Sequence, residues 1–206
     1  MKIEVEIRGK IKDFENTLKD FRKKAKFIGE KQRISFIYFR AGKDVLDVNS
    51  VREDPVDLKL RVTNKSAEIV MKYGRWGAEE NRKEFLFPID LEKFDSALEF
   101  FKHLNWYKGV LMDTKTYLFN YKGVEFALVQ SGNIAYFEAE ILVNTQEEIS
   151  DALKKIKKRC VEMELEIFEE EEFIEMMNKL NKRENRIFDM RKENFDNIKD
   201  KFKDFF

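Results

Sequence analysis

The sequence has little of the side-chain chemistry on which many enzymes depend. Among its 206 residues, Cys160 is the one cysteine and His103 the one histidine. A single cysteine excludes an internal disulfide and a cysteine-based metal site, and it is typical of an intracellular protein, so we expect a cytoplasmic location. Single copies of both residues also argue against Cys–His and Ser–His–Asp catalysis. Any chemistry must therefore use carboxylates, amines, guanidinium groups and a bound metal.

Long apolar runs and an excess of one charge are lacking as well. No apolar segment approaches the length of a membrane span, and the chain opens on a charged segment rather than the apolar core of a signal peptide. Lys plus Arg and Asp plus Glu each number 40, so the formal net charge is zero. No overall field attracts nucleic acid or an anionic membrane, and we expect neither as a partner.

Short segments with strand character make up much of the first 143 residues. Strict alternation of apolar and charged residues predicts a strand over residues 3–11. Many short antiparallel strands crossed by a few helices favour an α+β fold, a closed, largely antiparallel β-barrel with flanking helices. No Gly-rich phosphate loop supports a doubly wound nucleotide fold. The other predicted strands cover residues 33–39, 57–63, 68–72, 82–87, 111–119, 124–130 and 134–143.

Helical periodicity marks the segments between these strands. Asp13 is the expected N-cap of a helix that continues to Gly29 at its C-terminal end. A second helix is expected after Asp90. Thr145 and Glu148 predict a capping box at the start of a third.

Residues 166–206 have the character of a charged, amphipathic helical tail. Apolar residues such as Phe173, Leu180 and Ile198 recur at helical spacing amid dense charge. The stripe is expected either to pack on the preceding domain or to form a surface for a partner, which includes a homodimer. We therefore divide the chain into a domain over residues 1–165 and a tail over residues 166–206.

Two strands near opposite ends of the β region carry the pattern Glu-x-Glu. Glu4 and Glu6 share one face of the first strand, and Glu138 and Glu140 share one face of the last, because successive side chains alternate. Carboxylates that converge inside a barrel must be compensated by opposite charge. All-oxygen ligands favour a hard cation, so the expected cofactor is Mg²⁺ or Mn²⁺.

The strands between these two carry basic residues at the same alternate spacing. Inward-facing Arg and Lys side chains can bind a polyphosphate through charge-assisted hydrogen bonds. The simpler alternative is that alternating charge marks the solvated face of an antiparallel sheet. The conjunction of two Glu-x-Glu strands with several basic strands between them favours a site. The basic candidates are Arg8, Lys59, Arg61, Lys72, Arg82 and Lys115.

The order of these motifs resembles that of the CYTH, or triphosphate tunnel, family. That family contains class IV adenylate cyclases, thiamine triphosphatases and inorganic triphosphatases. Residues 3–8, IEVEIR, are similar to its N-terminal Glu-x-Glu-x-Lys signature, and residues 137–141, FEAEI, to its late Glu-x-Glu strand. Residues 58–62, 69–74 and 82–84 are similar to its basic-x-Arg, Leu-Thr-x-Lys-Gly and Arg-x-Glu strands. The resemblance covers residues 1–165.

The resemblance implies an eight-stranded barrel that acts on a triphosphate substrate with a divalent metal. It assigns catalysis to Glu4, Glu6 and Arg8, metal binding to the four Glu-x-Glu carboxylates, and substrate binding to the six basic candidates. The implied reaction is hydrolysis of an inorganic, nucleoside or thiamine triphosphate. Cyclisation of ATP to cyclic AMP and pyrophosphate is one alternative, and a catalytically weakened polyphosphate-binding module is another.

Four positions depart from the family pattern. Arg8 replaces the signature Lys, which exchanges a compact ammonium for a planar, permanently charged group. Lys59 stands where Arg is usual, and Lys115 stands alone where the family prefers two basic residues. Gln130 occupies the neighbourhood of a common Asp, and we expect this neutral side chain to weaken a second metal site.

Overall fold

The structure, a computed structural model, describes residues 2–40 and 42–206; for Val51 it describes the backbone alone. Most of the described residues belong to regular elements. The strands are β1 Ile3–Lys10, β2 Lys26–Phe39, β3 Val56–Thr63, β4 Ser66–Tyr73, β5 Glu79–Ile89, β6 Lys108–Tyr121, β7 Val124–Ser131, β8 Ile134–Val143, β9 Glu166–Ile167 and β10 Arg186–Asp189.

Helices cover the outside of the sheet and one of its ends. None of the helices in the described ranges is long and apolar enough to cross a membrane. A 3-10 turn at Leu91–Lys93 leads into the third helix. The α-helices are α1 Phe14–Lys24, α2 Val48–Arg52, α3 Phe94–His103, α4 Ile149–Glu162, α5 Glu170–Arg183 and α6 Phe195–Lys201.

Eight strands close into a barrel in the order β6-β2-β3-β4-β5-β1-β8-β7, and β7 pairs back with β6. Every neighbouring pair is antiparallel. Closure removes the exposed edges that an open sheet would present. The predicted α+β fold with a closed, eight-stranded antiparallel barrel is therefore confirmed.

The last part of the chain fills two gaps in this sheet. β6 pairs with β7 only from Lys115 onward, and β10 pairs with its first residues. β1 pairs with β5 up to Ile7, and β9 pairs with the two residues at positions 9 and 10. Backbone groups that the barrel strands leave unpaired at these two places are thus satisfied by the segment after residue 165.

Most of the apolar core lies outside the barrel, beneath the helices. Ile3, Val5 and Ile7 of β1 pack under α1 and α4, where they meet Phe21 and Ile156. A second cluster lies on the far side of the barrel beneath α3 and α6. Because neighbouring residues on a strand point to opposite faces, the charged residues between these apolar positions must point into the barrel.

The first helix ends earlier than predicted. α1 stops at Lys24, and the residues that follow belong to β2, so the expected continuation to Gly29 is wrong. Phe27 pairs with Phe119 of β6, and a bulge follows before Gly29. Cross-strand pairing along the whole of β6 outweighs the short-range helical pattern in this segment.

The segment around Ser50 lies between two predicted strands and contains the single-turn helix α2. The predicted capping box before α4 is only half present. The Glu148 carboxylate accepts the backbone N–H groups of Asn144 and Thr145, but Glu148 itself is the residue that precedes the helix.

The segment after residue 165 packs on the barrel through much of its apolar stripe. Phe173 and Leu180 of α5, Phe188 of β10 and Ile198 of α6 are buried. The helical character of this segment was predicted, whereas β9 and β10 were not, because strands of two and four residues show no periodicity. The domain division at residue 165 and the homodimer stay predictions.

We expect Phe188→Ala to lower the free energy of unfolding by about 3 kcal/mol or more, because a buried aromatic side chain is replaced by a cavity. The Phe188 ring is 0% exposed and packs 5.3 Å from the Phe36 ring and 5.2 Å from the Tyr38 ring. Urea denaturation measures the effect. Phe100→Ala, which changes a ring that is 58% exposed, is the matched control. Equal losses in the two variants would contradict the packing of β10 on the barrel.

Candidate active site inside the barrel

Strand register identifies which side chains face the interior. Glu4, Glu6 and Arg8 alternate with the apolar β1 residues under the helices, so they point inward. Residues directly opposite each other on paired strands share a face. The strand register therefore identifies the inward residues of the neighbouring strands as well. The charged residues on this inner face include Glu4, Glu6, Arg8, Lys10, Lys31, Arg33, Asp57, Lys59, Arg61, Glu68, Lys72, Glu80, Arg82, Glu84, Glu125, Glu138 and Glu140.

The carboxylates of β1 are buried and face a lysine. Glu4 is 6% exposed and Glu6 is 1% exposed. The Lys72 ammonium contacts the Glu4 carboxylate, and its Nζ lies 3.7 Å from Oε2 of Glu6 and 3.9 Å from Oε1 of Glu84. Burial alone would raise the pKa of Glu4, but the ammonium of Lys72 holds that pKa below its ordinary value.

Arg8 is surrounded by three carboxylates. Its Nη2 lies 2.5 Å from Oε1 of Glu6, its Nη1 lies 2.9 Å from Oε2 of Glu80, and its Nε donates to Oε1 of Glu138 over 3.3 Å. Nη1 also donates to the carbonyl oxygen of Gly77 over 2.7 Å. Arg8 therefore links β1, β5 and β8 within the barrel.

Glu80 holds two guanidinium groups in place. Its carboxylate accepts from Arg8 and, over 2.6 Å, from Nη2 of Arg82. Burial tends to raise the pKa of Glu80, but the charges of Arg8 and Arg82 outweigh it and lower the pKa to about 2. Sequence reasoning missed Glu80. Glu80 precedes Arg82 by two residues, so alternation along the strand places both side chains on the same face. Glu80 also lies directly opposite Glu6.

The remaining basic residues of β3 and β5 are also paired with carboxylates. Nη1 of Arg82 donates to Oδ2 of Asp57 over 2.8 Å, and Nζ of Lys59 lies 3.0 Å from the same oxygen. Nε of Arg61 donates to Oε1 of Glu68 over 2.6 Å. Four of the predicted basic wall residues besides Arg8 thus lie on the inner face: Lys59, Arg61, Lys72 and Arg82.

The second Glu-x-Glu strand lies beside the first. Glu138 is directly opposite Arg8 and Glu140 directly opposite Glu6. Burial and then the negative charge of Glu4 raise the pKa of Glu140 to about 8. Burial likewise raises the pKa of Glu6 well above its ordinary value, although Arg8 opposes the shift. The interior at this point is short of positive charge.

The donor set here fits a hard divalent cation. Carboxylate oxygens of Glu4, Glu6 and Glu80 lie within 4.8 Å of one another. Oε2 of Glu4 and Oε1 of Glu6 are buried without a hydrogen bond of good geometry, although Lys72 and Arg8 are in contact with them. Glu80 already accepts from two arginines, so Glu4 and Glu6 are the better ligands. All-oxygen sites of this kind suit Mg²⁺ or Mn²⁺.

Lys115 does not line the interior, so its predicted placement is wrong. It shares a face with Tyr117, whose ring packs under α1 against Phe14, and its Nζ lies 5.1 Å from the centre of the Tyr117 ring. Lys115 is paired with Glu30 at 3.0 Å, and its side chain is 44% exposed. The inward neighbours on β6 are Thr114 and Thr116. The physical reason is that side chains alternate between the two faces of a strand, so a position one residue along points to the opposite face.

Gln130 also faces outward. It lies directly opposite Lys115, whereas its neighbour Val129 points inward with Met112. The expectation that Gln130 weakens a second metal site is therefore wrong. The carboxylate that β7 does present to the interior is Glu125, directly opposite Glu140. Sequence reasoning missed Glu125, although alternation along β7 places it on the same face as Val129.

Arg33 of β2 is a further interior residue that the sequence analysis missed. It pairs with Thr63 of β3, and its Nε donates to the Thr63 hydroxyl over 2.9 Å. Burial, and then the like charge of Arg61, lower the pKa of Arg33 to about 10. This part of the wall therefore has a surplus of positive charge.

In metal-free buffer we expect the melting temperature to fall as the pH rises from about 5 to about 8. The pKa of Glu140 is raised from 4.5 to about 8 in the folded chain. A raised carboxylate pKa stabilises the fold below the unfolded value, and that stability is lost as the pH passes the folded value. Glu140→Gln should flatten this slope, while Glu147→Gln, which changes an exposed glutamate, should leave it intact. Identical slopes in all three proteins would contradict the assignment.

Comparison with known proteins identifies the fold. No protein-family model and no curated protein matches the sequence. Among solved structures, PH1819 from Pyrococcus horikoshii matches with a TM-score of 0.68 and 23% identity over 87% of this chain and 99% of that one. A candidate adenylate cyclase from Vibrio parahaemolyticus matches with a TM-score of 0.66 and 14% identity over 85% and 97% of the two chains.

A plant protein has the same fold at greater distance. HpAC1 from Hippeastrum, a candidate adenylyl cyclase with a dominant triphosphatase activity, matches with a TM-score of 0.52 and 14% identity. The match covers 82% of this chain and 91% of that one. At such identities the likeness establishes the fold and leaves the reaction to be argued from the site. The chain therefore shares its fold with these proteins, and that fold is the closed antiparallel barrel that its series of strands predicted.

Proposed function

We propose that this chain is an enzyme that hydrolyses a triphosphate inside its barrel with the help of a divalent metal ion. The observation that carries the proposal is the inner wall, where Glu4 and Glu6 lie beside Lys72 and basic side chains continue along β3 and β5. The dominant triphosphatase activity of HpAC1, which shares the fold, supports the same reaction class.

The basic residues of the inner wall bind the phosphates by exchanging a carboxylate partner for a phosphate group. Lys59 and Arg61 are paired with Asp57 and Glu68, and each retains some solvent access. Phosphate oxygens carry more charge than a carboxylate and accept bidentate hydrogen bonds from a guanidinium group. A triphosphate that enters the barrel therefore takes over these donors. Arg33 adds a third cation on the neighbouring strand.

The acidic side of the barrel holds the metal. Glu4 and Glu6, with Glu138 and Glu140, are the residues that would bind Mg²⁺ or Mn²⁺. When bound, such an ion polarises phosphoryl oxygens and makes water more acidic. Arg8 and Arg82 are already oriented by Glu80, so their charges need no rearrangement to stabilise the negative charge that develops in the transition state.

A single assay distinguishes this reaction from its alternatives. The chain is incubated with ATP, thiamine triphosphate and tripolyphosphate in the presence of Mg²⁺ or Mn²⁺, and phosphate, pyrophosphate and cyclic AMP are measured separately. Release of phosphate supports hydrolysis, whereas equal amounts of pyrophosphate and cyclic AMP indicate a cyclase. Binding of a triphosphate without turnover would leave the polyphosphate-binding module as the better account.

We expect Glu6→Gln to lower turnover about a hundredfold, the usual scale for loss of one preorganised charged group. The amide keeps the shape of the carboxylate but removes the negative charge that attracts the metal. Binding of tripolyphosphate in EDTA should be unchanged or tighter, since a carboxylate that repels phosphate has gone. Turnover is measured by phosphate release and binding by calorimetry. A variant with full turnover would contradict the assignment of Glu6 to the metal.

Arg61→Gln should weaken tripolyphosphate binding roughly tenfold to a hundredfold, because a hydrogen bond to a charged group contributes about 1.5–3 kcal/mol. Lys115→Gln is the matched control, since it removes a basic residue that faces outward on the same barrel. Calorimetry in metal-free buffer measures both variants. Equal affinity in the wild type and in Arg61→Gln would refute phosphate binding by the inner wall.

A further inference from the structure

One end of the barrel opens into a cavity that is only partly charged. Its volume is about 120 Å³, some ten times what one buried water needs by the same kind of measure, roughly 10–15 Å³. Arg8 and Lys59, which belong to the barrel wall, line this cavity together with Trp76, Trp106 and Met177. A single space thus joins the proposed phosphate-binding wall to an aromatic surface.

The aromatic surface is held in place by packing. The Trp76 ring lies 4.8 Å from the ring of Phe173 on α5, and Met177 is one helical turn further along the same helix. Trp106 follows α3, and its ring lies 4.9 Å from the Arg40 guanidinium carbon. Rings that are fixed in this way bind a planar group without first losing conformational freedom.

Two asparagines attach α5 to the segment that forms the other side of the cavity. The Asn178 carbonyl oxygen accepts the backbone N–H of Val48, and the Asn181 amide donates to the carbonyl oxygen of Val45. Val48 and Asn181 themselves line the cavity. The segment after residue 165 therefore helps to shape this cavity.

The charged residues around the cavity are mostly basic. The acidic members are Asp54, Asp57 and Glu138, and the basic members are Arg8, Arg40, Lys43, Arg52 and Lys59. Five basic and three acidic groups leave an excess of positive charge here, and a cationic ring such as a thiazolium would add to that excess. A neutral heteroaromatic ring attached to an anionic chain suits both the charge and the aromatic lining.

We propose that this cavity binds the base of a nucleoside triphosphate whose phosphates lie along the barrel wall. The inference rests on the proposed function and narrows its substrate class, in preference to inorganic tripolyphosphate and thiamine triphosphate. The base stacks on the Trp106 ring in place of the Arg40 guanidinium, whose side chain is 53% exposed and is also paired with Asp54. Stacking of a base on an aromatic side chain strengthens binding by about tenfold or more.

The chain offers a direct probe of this cavity. Trp76 and Trp106 are its two tryptophans, and both line the cavity. The full chain is titrated with ATP, tripolyphosphate and thiamine triphosphate in EDTA, so that no turnover occurs, and tryptophan fluorescence is recorded alongside calorimetry. We expect ATP to quench the fluorescence and to bind about tenfold more tightly than either of the other two ligands.

Substitutions at Trp106 test whether this ring is the source of the tighter binding of ATP. Trp106→Leu should reduce the affinity for ATP to that for tripolyphosphate and leave the affinity for tripolyphosphate unchanged. Trp106→Phe, which keeps an aromatic face, should retain most of the advantage. Phe100→Leu, a change at an exposed ring away from the cavity, should alter neither affinity. An advantage for ATP that survives Trp106→Leu would overturn the inference.

The comparison of ligands on the wild type decides the inference even where a variant does not fold. If ATP binds no more tightly than tripolyphosphate, or if thiamine triphosphate binds most tightly, the base pocket is refuted. If tripolyphosphate binds and needs Arg61, the proposed function stands and only the pocket fails. If tripolyphosphate does not bind, or binds equally well to Arg61→Gln, the proposed function itself fails.

Discussion

The enclosed ion-pair network is the interaction on which the rest of this structure depends. Closing the sheet removes charged side chains from water, and an unpaired ion there would cost several kcal/mol. Four successive ion pairs offset that cost by bringing opposite charges of β1, β5 and β3 into contact: Arg8–Glu80, Glu80–Arg82, Arg82–Asp57 and Asp57–Lys59. The apolar residues of the same strands are thereby left for the outer face, where the helices cover them.

Positive and negative charges are not balanced in every part of this network: one side of the barrel has an excess of carboxylates and the other an excess of guanidinium groups. The pKa of Glu6 and of Glu140 is raised, first by burial and then by neighbouring carboxylates, so this side of the barrel would gain from a cation. Burial and then Arg61 lower the pKa of Arg33, so that side would gain from an anion. A metal ion and a polyphosphate together supply both charges. The electrostatics of the interior thus favour a metal–phosphate ligand over either component alone.

The inner face of β1 could be predicted from the sequence. Ile3, Val5 and Ile7 form the apolar face, so Glu4 and Glu6, which alternate with them, must lie on the opposite face. The same alternation places Lys115 and Gln130 on the outer face, because Lys115 shares the face of Tyr117 and lies directly opposite Gln130. The closed barrel followed from the series of strands and turns. The early end of α1, the bridging role of Glu80 and the strands β9 and β10 depend on contacts between distant segments, which local periodicity does not contain.

The segment after residue 165 ties the stability of the barrel to the shape of its opening. β10 completes the edge of β6 that β7 leaves unpaired, and β9 does the same beside β1. Between them, α5 places Phe173 against Arg8, whose guanidinium carbon lies 5.3 Å from the ring centre. If the proposed function holds, substitutions on α5 would alter the organic part of the ligand while the proposed phosphate-binding wall stays the same. Proteins that share the barrel wall but differ in this segment would then bind the same triphosphate with a different group attached to it.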